Sequence, residues 1–177
     1  MTIQVIVLNG GSSSGKTTIA RSLQTVLPDP WLFFSVDTMV EALPPALRDS
    51  DAGVSFAPDG SVVVGPEFKI IDGAWTAGIA AMARAGARVV VDDVFIGGPD
   101  SQERWRQALA GLGVLFVGVR CDPAVAAARE AARGDRPAGM AASQATTVHE
   151  GVSYDLEIDT SLMDPLDCAR AVAAHLA

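Results

Sequence analysis

Residues 10 to 17, Gly-Gly-Ser-Ser-Ser-Gly-Lys-Thr, stand directly behind the apolar run IQVIVL. This stretch constrains the fold more than any other. It fits G-x-x-x-x-G-K-S/T with a strand before it and a helix after it, the context in which that pattern has a mechanism. Successive backbone N–H groups curl around a phosphate, and glycine lets the main chain come that close. The following helix adds the positive end of its dipole. Gly10, Gly11, Ser12, Ser13, Ser14, Gly15, Lys16, Thr17 and Thr18 therefore form the nucleotide side of a candidate site. Lys16 is expected to reach the β/γ phosphates and Thr17 to hold Mg²⁺. Because Lys16 would face phosphate rather than core, its removal should leave the fold intact.

The rest of the chain repeats the strand–helix alternation. Apolar runs occur at Ile3–Leu8, Trp31–Val36, Arg88–Val91 and Val114–Val119, with an alternating run at 154–160. Near-continuous apolar runs belong to strands covered on both faces, as in a parallel sheet. Helix-like segments fill 15–27, 37–43, 66–85, 100–111, 122–133 and 164–176. The order predicts an α/β sheet with right-handed crossovers. Residues 44–65 break the rhythm, and "VSFAPDGSVVV" reads as two short strands around an Asp-Gly turn. With no linker or repeat, the 177 residues are read as one domain, and 49% hydrophobic content suffices for a core.

A net charge of −8 argues against broad contact with nucleic acid or an anionic membrane, though not against a locally bound anion. Cys121 and Cys168 form no framework and read as reduced thiols of a cytoplasmic protein. The N-terminus lacks the basic region of a signal peptide.

Three further signals carry chemistry. "RVVVDD" ends an apolar strand in Asp92 and Asp93, at the edge where such sheets bind ligands, so Asp92 is a candidate for Mg²⁺, directly or through water. Asp37 follows the second strand and could accept a proton from an acceptor hydroxyl, but it equally suits the N-cap of a helix over Thr38–Leu43. Arg129, Arg133 and Arg136 are spaced by four and then three, one face of a helix that Gly134 and Pro137 end. Cations that swing over phosphates neutralise charge during transfer, and arginines near a helix C-terminus also suit its dipole. The candidate acceptor wall is Val36, Met39, Val40, Phe56 and Phe95, with Glu41 and Asp37 as nearby charges. It suits an uncharged, partly apolar alcohol, because 38–70 holds only Arg48 and Lys69 as cations. Trp75 and Met82 read as core, and His149 and His175 are too separated for a metal site.

The chain resembles the chloramphenicol phosphotransferase family of small P-loop kinases. "LNGGSSSGKT", "PWLFFSVDTMVEALP", "MARAGARVVVDDVF", "QERWR", "ARGDR" and "VHEGVSYDLEIDTS" carry the resemblance over nearly the whole length. It implies a fold similar to shikimate and adenylate kinases with a five-stranded parallel sheet. It implies ATP and Mg²⁺, and a small alcohol acceptor, in this family the primary hydroxyl of chloramphenicol. It further implies that Asp37 is the general base and that Arg133 and Arg136 belong to a lid, here about 129–140, with Arg129 on the nucleotide side. Two other readings are a kinase of another small alcohol or nucleoside, and a nucleotide-dependent regulatory protein. The sequence carries no Asn-Lys-x-Asp run that would select guanine.

Overall fold

The structure, a computed structural model, describes residues 2–57, 60–134 and 139–176. In chain order the elements are β1 (Ile3–Asn9), α1 (Lys16–Val26), β2 (Trp31–Ser35), α2 (Val36–Ala42), β3 (Val54–Phe56), β4 (Val62–Val64), α3 (Pro66–Arg84), β5 (Arg88–Asp93), α4 (Pro99–Ala108), β6 (Gly113–Arg120), α5 (Pro123–Arg133), α6 (Met140–Thr147), β7 (Leu156–Asp159) and α7 (Pro165–Ala174). Five strands form a parallel sheet in the order β2-β5-β1-β6-β7.

The apolar runs work because successive side chains of a strand point to opposite faces. Ile6 and Leu8 of β1 pack with Ile19, Leu23 and Val172 from α1 and α7. Val5 and Val7, one position off, pack with Ile79 and Ala83 of α3, Trp105 of α4 and Leu109 just after it. Both faces of the central strand are therefore dry. Trp75 and Met82 join the second layer as partly buried residues, as the sequence suggested. Both cysteines are free and buried. Among the described residues no helix is long and apolar enough to cross a membrane.

Several element limits differ from the sequence reading. Strand β5 runs to Asp93, as "RVVVDD" implied and two residues past its apolar run: Asp92 pairs with Leu8 and Ser35 and Asp93 with Asn9, and these ladders outweigh the poor strand propensity of aspartate. Helix α2 begins at Val36, and its N-cap is Ser35, whose Oγ accepts the Asp37 N–H at 3.0 Å. Asp37 is thus a first-turn residue and not the cap. Helix α6 was not expected at all. Its opening N–H groups are held from a distance: the Glu130 carboxylate accepts from Gly139 N at 2.9 Å and from Ala141 N at 2.7 Å.

The irregular insert becomes the antiparallel pair β3–β4, with Val54 opposite Val64 and Phe56 opposite Val62. Asp59 of the expected turn lies outside the described residues. The hairpin sits on a third apolar cluster made of Met39, Leu43, Val54 and Phe68. The loops that leave β1, β2 and β5 meet at one edge of the sheet.

Candidate active site

The phosphate loop has the geometry its residues predict. Gly15 is left-handed (φ 91°) and begins α1, and Ser13 also has positive φ (58°), so neighbouring N–H groups turn inward. A Cβ on Gly10 would meet the Val119 carbonyl oxygen at 2.5 Å, so only glycine fits against β6. The hydroxyls of Ser13 and Ser14 are buried and meet no partner among the described residues. Unsatisfied buried hydroxyls beside an inward-turned backbone are the donor set a phosphate requires. One loop N–H is already committed, since Ser12 N donates to Gln144 Oε1 of α6 at 2.8 Å.

Lys16 and Thr17 converge on Asp92. Thr17 Oγ1 donates to Asp92 Oδ2 at 2.6 Å, and Lys16 Nζ lies 3.5 Å from Asp92 Oδ1 while donating to the Gly11 carbonyl at 2.9 Å. Both side chains of the ion pair are 6% exposed. Burial pushes the Asp92 carboxyl above its usual range, with Lys16 and the Thr17 hydroxyl pulling it back and Asp37 and Asp93 adding to the rise. The sequence reading treated Lys16 as a residue whose loss leaves the fold untouched. The buried pair corrects that, because removing one partner strands the other. A hydroxyl and a carboxylate in contact, beside the loop, suit Mg²⁺, which binds through one or two oxygens and keeps several waters. Asp93 serves a different purpose. Its Oδ1 accepts the Val94 N–H at 2.7 Å and its Oδ2 accepts the Trp105 indole N–H at 2.6 Å, fixing the strand end to α4.

A cavity of about 900 Å³ joins this loop to the acceptor side. It is lined by Ser12, Lys16 and Thr17 at one end and by Asp37, Val36, Val40 and Phe56 toward the other. Asp37, half-buried, thus shares one space with the phosphate loop. Three expected acceptor residues do not line it. Met39 is buried in the third apolar cluster, with Val36 and Val40 packed against that cluster, and it does not reach the cavity. Glu41 is exposed elsewhere on α2. Phe95 is fully buried against Val91 and Trp105, its N–H bound to Asn9 Oδ1 at 2.9 Å, while its neighbours Val94 and Ile96 reach the cavity.

Arg129 and Arg133 line the same space from α5. Arg129 is anchored: its guanidinium donates to the Thr160 hydroxyl at 3.0 Å and carbonyl at 2.8 Å, and Thr160 Oγ1 in turn donates to the Ser14 carbonyl at 2.8 Å. Arg133, in the last turn of α5, is exposed. Arg136 lies outside the described residues. The sequence reading missed four participants: Gln144, Glu130, and the pair Asp72 and Arg104, bound at 2.8 Å on the cavity wall. Only "QERWR", which contains Arg104, offered a signal.

Behind the loop, Asn9 closes a buried network. Its Nδ2 donates to the Val148 carbonyl at 2.8 Å and to the Tyr154 oxygen at 2.6 Å, which leaves the phenol proton for His149 Nδ1, also at 2.6 Å. Burial is the main cause that pushes His149 down to about 4 and Tyr154 up to about 12. The unfolded chain therefore takes a proton on His149 near pH 6.5, and the folded chain does so only near 4. This contribution to stability is whole above about 6.5 and is lost as pH falls toward 4, on the order of 3 kcal/mol. Asp72, which burial lifts to about 6, acts in the opposite direction over the same range. The two separate in a comparison of wild type with His149→Gln by urea unfolding at pH 7 and pH 4. The wild type's advantage should shrink on acidification, and a constant difference would remove His149 from the acid response.

A profile of the chloramphenicol phosphotransferase-like protein family matches residues 3–177. The chain belongs to that family. A Mycobacterium tuberculosis protein named as a candidate O-phosphotransferase is 32% identical over 184 residues, covering 94% of this chain and 79% of its own. Among solved structures, a sugar kinase from a Janibacter species superposes with a TM-score of 0.71 at 19% identity, covering 97% of this chain and 93% of its own. The APS kinase of Mycobacterium tuberculosis, in complex with AMPPNP and APS, gives 0.67 at 15% identity, covering 99% and 98%. These two show the P-loop kinase fold. Membership in the chloramphenicol phosphotransferase-like family makes the chain a small-molecule phosphotransferase.

Proposed function

We propose that the protein transfers the γ-phosphoryl group of ATP to the primary hydroxyl of chloramphenicol, inactivating the antibiotic in the cytoplasm. One observation carries the reading: Asp37 and an apolar wall share a single cavity with Lys16 and the phosphate loop. Holding two reactants in one space converts an encounter between molecules into a step within a complex. Asp37 takes the proton of the acceptor hydroxyl as its oxygen bonds to phosphorus and the bond to the β-phosphate oxygen breaks. Lys16, Arg133 and Arg136 stabilise charge on the transferred group, while Arg129, tied to Thr160, keeps the loop mouth in place. Thr17 and Asp92 would hold Mg²⁺, which supplies neutralisation of phosphate charge when bound.

A phosphorylated acceptor is disfavoured. Of the two cations in 38–70, Arg48 bonds the carbonyls of Leu43 and Glu41, and only Lys69 lines the cavity. The test is a panel of alcohols, including chloramphenicol, gluconate and adenosine, incubated with protein, Mg²⁺ and γ-labelled ATP and read by mass. Labelled chloramphenicol is the expected product. Transfer to a different alcohol would keep the kinase and discard the substrate, and best turnover on a phosphorylated acceptor would overturn the acceptor reading.

A further inference from the structure

The acceptor end of the cavity sets an apolar wall beside several charged side chains, and two of these, from different helices, form an ion pair. Asp72 stands one turn beyond Phe68 on α3, so both side chains lie on the helix face that lines the cavity. Arg104 comes from α4, and its Nη2 meets Asp72 Oδ2 at 2.8 Å. The side chains are 16% and 34% exposed. An ion pair at that depth adds little net stability, because desolvation offsets the attraction. Something other than stability accounts for its place on a ligand-facing wall.

We propose that Asp72 and Arg104 are specificity residues that read a neutral donor–acceptor group of the acceptor, a secondary amide or a second hydroxyl, beside the hydroxyl that is phosphorylated. The inference rests on the kinase reading above. Three observations support it. The Arg104 Nε is shielded from solvent and meets no acceptor among the described residues, so the guanidinium holds donor capacity that its partner does not use. The Asp72 carboxylate is poorly solvated: burial, with a contribution from Asp93, raises it to about 6 against the pull of Arg104. A carboxylate in that state gains from each added N–H or O–H donor. Finally, the adjoining wall is apolar, with Val40, Val62 and Phe68. The pair is thus the polar mark against which an apolar body is oriented. An anionic group in its place would meet Asp72 with Asp37 and Asp100, which line the same cavity.

The experiment compares two probes on the full chain. Chloramphenicol carries an amide and a second hydroxyl; 3-phenylpropan-1-ol carries an aromatic body and one hydroxyl. Transfer is followed by mass with wild type, Asp72→Asn and Arg104→Gln, together with KM for ATP and melting temperature. Each variant should lower kcat/KM for chloramphenicol about tenfold or more, mostly through KM, and leave 3-phenylpropan-1-ol within about twofold. KM for ATP should not move. Arg104→Lys keeps a cation opposite Asp72 but loses the planar fork, so it should fold like wild type and lose part of the preference. An equal fall on both probes, or none, would reduce the pair to a clamp between α3 and α4 and overturn the proposal. A wild type that labels no alcohol would instead overturn the kinase reading and this inference with it.

Discussion

Asp37→Asn is expected to lower the rate of label transfer to chloramphenicol on the order of 10²–10⁴, the usual worth of a general base. A loose phosphoryl-transfer transition state asks less of the base, which favours the lower end. Asparagine keeps the shape and most hydrogen bonding of aspartate but cannot take the proton. The fold gives this variant unusual clarity. Ser35 holds the N-cap of α2, so the substitution leaves the cap intact. What is lost structurally is a first-turn negative charge, worth about 0.3–1 kcal/mol. The melting temperature should therefore stay within a few degrees of wild type, and ATP affinity should be unchanged. The measurement is the transfer rate at saturating ATP, with calorimetry alongside. An active wild type and an equally active Asp37→Asn protein would remove Asp37 from the mechanism.

Lys16→Met should reduce transfer by a further kind of loss, on the order of 10²–10³, because one donor aimed at developing phosphate charge is gone. Here stability moves as well. The lysine is buried with Asp92, and breaking a buried pair costs about 3–5 kcal/mol. That corresponds to a fall of roughly 6–20 °C in melting temperature for a chain of this length. The fall should sit toward the smaller end, since burial already favours the neutral Asp92 carboxyl and Thr17 still donates to it. The double variant Lys16→Met/Asp92→Asn should recover the melting temperature and not the activity. That pattern separates chemistry from folding. Turnover of Lys16→Met at the wild-type rate would overturn the phosphate-loop assignment.

The five strands and the loop could be read from the sequence because each is written in consecutive residues. Apolar runs report burial on two faces, and the glycine–lysine spacing reports a backbone shape. What stayed hidden depends on which way a side chain faces or on partners far along the chain. Val36 and Val40 of α2 pack on the third cluster and still reach the cavity, whereas Met39 is sunk within the cluster. Composition treats the three alike, and depth of burial separates them. Phe95 follows β5 in a loop, where nothing local tells that its ring turns into the core while Val94 and Ile96 reach the cavity. Helix α6 has a weak local signal, and its first turn is secured by Glu130, nine residues before Gly139. Asp72 and Arg104 belong to different helices, and nothing local announces their meeting.

The third apolar cluster has a bearing on how relatives of this protein could diverge. Two strands of three residues cannot stand alone in water, so the β3–β4 hairpin depends on α2 and the first half of α3 beneath it. That assembly is separate from the two layers that flank the sheet, and Trp75 packs on both the third cluster and one of those layers. Trp75 is therefore a seam. Grafting the hairpin by itself into another member would leave Val54, Val62 and Val64 without their matching floor, whereas residues 36–75 carry wall and floor together. A recombination that exchanges this block would move Asp37, Asp72 and most of the apolar wall together, leave Arg104 to be matched in the recipient, and keep the phosphate loop and Asp92 as they are.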